Sequence, residues 1–135
     1  MYAYLDRRVS DLAEADRFML SAMRQWVGAA RSGRCLCATL SAGFDARGVK
    51  DVLNDFGSAM AMLDRSGITR FRFAPACCRR VTDDEARLLT LFAFGRGGDP
   101  ARLWSICASL VADAAVPRLH AAVETIGAVL MEDPA

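Results

Sequence analysis

The sequence holds one histidine, His120, among its 135 residues. A single imidazole excludes any two-histidine metal motif and any histidine pair for proton transfer. Neither sign of charge is in excess: 17 basic and 16 acidic residues leave a formal net charge of +1. Nucleic-acid-binding domains normally carry a basic surplus on one face, so no nucleic-acid partner is expected. The same balance argues against an anionic membrane surface. Long apolar runs are missing too. The longest mostly apolar stretch, Leu103 to Val116, is shorter than a bilayer span and contains Asp113. No export signal is apparent, because Tyr4 and Leu5 are followed at once by Asp6, Arg7 and Arg8 with no apolar segment behind them. Together these absences predict a cytoplasmic protein with no membrane partner. Repeats, low-complexity tracts and a convincing linker are also lacking, so residues 1–135 are expected to form a single domain.

What the chain does have is apolar residues, at 53% of the total, above the usual share for a soluble domain. A chain of this length can bury a core without metal or disulfide staples. Either that core is generous or a partner covers part of the apolar surface. The spacing is helical over most of the chain. Leu5, Val9, Leu12, Met19, Met23, Trp26 and Ala30 recur at three and four residues, interrupted by Asp16 and stopped by Gly33. Ser10 is an alternative cap for a later start. Arg17, Arg24 and Arg31 fall every seven residues and are expected to form a solvated ridge. Leu36, Leu40 and Phe44 predict a brief helix within 35–44, ended by Gly43 or soon after, and Asp45 then caps a helix carrying Val49, Val52, Phe56, Met60 and Leu63 as far as Ser66-Gly67.

Residues 68–75 change period. Phe71 and Phe73 alternate with Arg70 and Arg72, which predicts an extended crossover with its phenylalanines in the core, closed by Pro75. Thr82 and Glu85 then form a capping box, and Asp83, Asp84 and Glu85 set negative charge at the positive end of a helix dipole. Gly95 to Gly98 stops that helix, and Asp99-Pro100 starts the next. There Leu103, Trp104, Ile106, Cys107, Leu110 and Val111 are expected to face inward. After Val116-Pro117 a last helix places Leu119, Val123, Ile126 and Leu130 on one stripe, with residues 132–135 as a frayed tail. The expectation is an all-α fold: a compact bundle of about five helices with one short extended crossover near residues 68–75.

Chemistry is less legible. Cys35 and Cys37 flank Leu36, and Cys77 and Cys78 are adjacent. Four thiolates from two loops can hold zinc tetrahedrally, although neither pair has the usual structural-zinc spacing. Packed thiols at a loop junction are the plainer reading, and Cys107 reads as a buried small hydrophobe. Five cysteines are an odd count for a closed disulfide framework. His120 has Glu124 one turn beyond it, which is either an orienting contact or a simple surface pair. Arg70, Arg72, Arg79 and Arg80 form a basic group beside Phe71 and Phe73, with Asp83, Asp84 and Glu85 close enough in sequence to neutralise it. The glycines at 95–98 lack a Walker lysine and are read as a reversal between helices. Met19, Met23, Met60, Met62 and the two tryptophans supply adaptable apolar surface, and the alanines of the terminal helices suit close contact across a two-fold interface.

The run from Cys77 through Val81-Thr82-Asp83-Asp84-Glu85 to Leu88-Leu89 resembles an element of small bacterial all-helical proteins of unassigned function. In those proteins a cysteine-bearing loop precedes a Val-Thr-x-x-Glu helix start. The resemblance implies a helical fold and carries no activity, cofactor or catalytic residue with it. The apolar surplus and the missing catalytic constellation instead predict a non-enzymatic function: protein–protein interaction, as a homodimer or with another protein. One alternative is a zinc-binding or thiol-redox protein using Cys35, Cys37, Cys77 and Cys78. A second is a small-molecule-binding helical bundle.

Overall fold

The computed structural model describes Tyr4 and residues 7–130. It contains six α-helices: α1 (Glu14–Ser32), α2 (Leu36–Arg47), α3 (Leu53–Ser66), α4 (Asp83–Arg96), α5 (Pro100–Leu110) and α6 (Val116–Leu130). Short 3-10 turns at Val9–Asp11, Lys50–Val52 and Asp113–Ala115 join them. The fold is all-α, as the periodicity predicts, and no helix of the described residues is long and apolar enough to cross a membrane.

Three helix boundaries differ from expectation. The first helix starts at Glu14, after Ala13 and not after Ser10. Ahead of it the chain lies against the loop before α4, with Val9 N–H donating to Arg79 O at 2.8 Å and Val81 N–H to Arg7 O at 2.9 Å. Leu5, placed on the first stripe, lies outside the described residues, as does the tail at 132–135. The helix expected to be brief is a full 12 residues and runs through Gly43 and Asp45. Gly43 has open space around it and keeps the helix going, whereas Gly48 turns left-handed at φ 78° and stops it. Asp45 is thus in the last turn of α2 and does not cap α3, which follows a 3-10 turn and has no side-chain cap. The stops at Gly33 (φ 70°) and the Thr82–Glu85 and Asp99-Pro100 starts are as predicted.

One buried cluster draws on all six helices. Helix α6 packs against α3, α4 and α5. A row of aromatic rings links the two halves: Phe18 to Phe44 at 5.0 Å, Phe44 to Phe56 at 5.4 Å and Phe56 to Phe92 at 6.2 Å between centroids. Helices α4 and α6 cross at Gly95 and Gly127. A Cβ on Gly95 would stand 2.6 Å from Val123 Cγ1, and one on Gly127 would collide with the Gly95 carbonyl. The polar break in the first stripe also has a partner, since buried Asp16 accepts from Arg96 Nη2 at 2.7 Å.

Residues 67–82 form no strand. The alternation is real, with Arg70 and Arg72 exposed and Phe71 and Phe73 half-buried against the core, but among the described residues no second strand offers a ladder. Its backbone amides are satisfied one at a time. Ile68 N–H reaches Leu110 O at 2.9 Å, Arg72 N–H reaches Asp84 Oδ2 at 2.7 Å, and Ala74 N–H reaches Glu85 Oε2 at 2.9 Å.

Candidate functional site

Side chains at the start of α4 hold that irregular segment against α1. Arg24 sits in the middle of α1, on the face that carries Arg17 and Arg31. Those two are exposed as expected, but Arg24 is buried at 6% exposure. The start of α4 and the loop before it cover the centre of the ridge. Arg24 donates through Nε to Glu85 Oε2 at 2.8 Å and through Nη2 to Glu85 Oε1 at 2.9 Å. It also donates to two loop carbonyls, Cys78 O at 2.8 Å and Arg80 O at 2.9 Å. Glu85 is completely buried and further accepts from the Thr82 and Ala74 amides, each at 2.9 Å. Burial by itself would raise the Glu85 carboxyl. The Arg24 hydrogen bonds and the Thr82 and Ala74 amides outweigh it and hold the carboxyl below its ordinary value. Hydrogen bonding to Glu85 in turn raises Arg24, against the opposing effect of burial. The sequence announces Glu85 as a capping residue. It does not announce that the same carboxylate receives an arginine 61 positions earlier.

This clamp builds one wall of a cleft of about 620 Å³. Arg31 and Arg34 line it on the α1 side, Thr39 on α2, and Phe73 to Ala76 opposite, with Arg24 at the back. Arg34 folds back along α1, where a Cβ on Gly28 would stand 3.6 Å from its Nη2. Among the described residues, no carboxylate lines the cleft. A smaller cleft of about 240 Å³ shares Arg31 and Phe73 and adds Trp26, Asp64 and Arg70. A third, of about 510 Å³, lies between α2 and α3 and is bordered by Trp26, Cys37 and Asp64.

The residues singled out from sequence are distributed as follows. Cys35 precedes α2, and Cys35, Cys37 and Cys77 are exposed. Cys78 is half-buried, with its thiol 3.4 Å from Arg80 O. Cys107 is buried, and that burial raises its thiol to about 11. Among the described residues, no three His, Cys, Asp or Glu side chains gather in a way that could hold a metal ion. His120 does meet Glu124, at 3.3 Å from Nδ1, while Nε2 lies 3.0 Å from Pro100 O and the ring packs on Trp104 at 5.1 Å. That arrangement ties α6 to the start of α5. Of the acids expected to neutralise Arg79 and Arg80, Asp84 pairs with Arg87 at 3.7 Å and Glu85 with Arg24. Trp104, expected inside, is 45% exposed. The glycine loop divides its work: Gly98 at φ 74° turns the chain, whereas Gly95 lies within α4 at its contact with α6.

Compared with known proteins, the chain matches no family model, no curated sequence and no solved structure.

Proposed function

We propose that this chain is a non-enzymatic, small-ligand-binding helical protein whose site is the cleft between α1, α2 and residues 73–76. The observation that carries the reading is the cleft itself: about 620 Å³, lined among the described residues by three arginines and no carboxylate, and walled by a segment clamped in place through Arg24 and Glu85. That volume lies within the usual range for small-molecule sites. Among the described residues, its lining includes no cysteine, serine, histidine or acid. The Thr39 hydroxyl there donates to Cys35 O at 2.8 Å. Such a lining suits binding better than bond-making chemistry.

The apolar surplus also favours this reading over a broad apolar interface. Most of it is inside, and among the described residues the large hydrophobic side chains left well exposed are Ile68 and Trp104. A nuclear magnetic resonance titration with a panel of small anionic and neutral aromatic compounds tests the proposal. The expected result is amide shifts confined to residues 25–39 and 73–76. Shifts scattered over the surface, or none, would contradict it.

Ile68 and Trp104 support a second reading, association with another copy or another protein in the cytoplasm. Trp104 lies on α5, and Ile68 is hydrogen-bonded to the end of that helix at Leu110 O. Light scattering on Trp104→Ala and the parent chain is the check, with a larger parent species expected and a monomer for both counting against it.

A further inference from the structure

We infer that the group recognised in the Arg31–Arg34 cleft is a phosphate monoester, with the organic part of the molecule lying against Phe73. The inference rests on the ligand-binding reading above and names its ligand class. It starts from which cations are already committed. Arg24 spends its donors on Glu85, Cys78 O and Arg80 O, so its charge is neutralised and its geometry fixed from behind. Arg31 and Arg34 are exposed, and among the described residues neither side chain has an ion pair or hydrogen bond. Two guanidinium groups therefore face one cleft with their donor forks unfilled.

A phosphate dianion has three terminal oxygens and a charge that two arginines match, and arginine binds it through paired N–H donors. A lone carboxylate would occupy one fork and leave the second uncompensated. Position within the cleft follows from the neighbouring acid. Asp64 lines the smaller cleft and offsets part of the positive charge of Arg31 and Arg70 there, whereas no described acid lines the larger cleft, so the stronger pull on an anion lies toward Arg34. Beyond the two arginines the wall changes to Phe73, Ala74, Pro75 and Ala76. This apolar surface is where the remainder of the ester would lie. Phe73 is half-buried and backed by the core, which leaves part of its surface to the cleft.

The test uses the whole chain and phenyl phosphate as the probe, titrated at constant ionic strength above the second phosphate pKa of about 6. The parent chain is expected to show shifts at residues 25–39 and 73–76. Arg34→Ala and Arg31→Ala should each weaken binding by about tenfold, with the circular dichroism spectrum unchanged, while Arg118→Ala, at an exposed position of α6, should not weaken it. Binding unaffected by the two cleft substitutions overturns the inference. Phenol binding the cleft as well as phenyl phosphate would sink the phosphate assignment while leaving the ligand-binding reading intact. Inorganic phosphate binding equally well would make the ion the ligand and remove the role of Phe73. A hexaglutamate peptide binding more tightly than phenyl phosphate would replace the small ester with an acidic protein segment. If none of the probes shifts the cleft amides, the inference and the reading beneath it both fail.

Discussion

Four N–H donors converge on the Glu85 carboxylate: two from Arg24 and one each from Thr82 and Ala74. Removing it leaves a buried guanidinium without its counter-ion and two amides without acceptors. Breaking one side of such a pair costs about 3–5 kcal/mol. Glu85→Ala should lower the free energy of unfolding by about that amount, measured by urea denaturation; a loss below about 1 kcal/mol, the size of an ordinary exposed pair, would contradict the role assigned to it. The same bond makes stability depend on acid. The folded-state value of Glu85 lies below its unfolded value, so in the interval between them the unfolded chain binds more protons. The contribution is complete above the unfolded value and disappears as pH falls through the folded one. Stability should therefore rise with pH across that acidic window, with a shallower slope in Glu85→Gln. At Cys107 the direction is opposite, with burial favouring the neutral thiol up to about 11. Alkylation at neutral pH followed by mass spectrometry should label Cys35, Cys37 and Cys77 in the native protein and spare Cys107 until it unfolds. Equal labelling of Cys107 would show that the core around it is open.

At the scale of the element, two glycines inside helices test opposite expectations. Alanine normally stabilises a helix interior over glycine by about 1 kcal/mol. Gly43→Ala in α2 should realise much of that gain, since nothing lies within 4 Å of the added Cβ. Gly127→Ala in α6 should instead destabilise by about 1–3 kcal/mol, because the methyl meets the Gly95 carbonyl and α4 and α6 must move apart. Thermal melts of the two variants compare them directly, and a stabilised Gly127→Ala would refute the close crossing. The helix signals that could be read from sequence were local ones: Gly33, the Thr82–Glu85 box, and Asp99 followed by Pro100. Those that failed needed a neighbour. Gly43 and Gly48 look alike in sequence, and only the chain's path separates the one within α2 from the one that ends it. The first stripe extends back past Glu14, but contacts with Arg79 and Val81 draw the residues before it into an extended run and a 3-10 turn.

For the whole molecule, the all-α class follows from apolar stripes that close into one cluster, and this was visible in the spacing alone. The candidate site was not. Arg24 and Glu85 are 61 positions apart, and the even recurrence of Arg17, Arg24 and Arg31 concealed that the middle one is buried. Residues 68–75 carry a strand-like alternation but find no partner strand among the described residues. Their amides go instead to Asp84, Glu85 and Leu110 O, and the segment becomes the wall of a cleft. The ligand-binding reading and the phosphate assignment both depend on that wall being held. Hydrogen exchange at the Ala74 amide measures it most directly, because that N–H is bonded to Glu85 and lies in a segment without regular secondary structure. The account predicts exchange orders of magnitude slower than in an unstructured peptide, together with loss of that protection in Glu85→Ala. Exchange at the peptide rate in the parent chain would mean that the segment is unclamped and the cleft has no fixed wall.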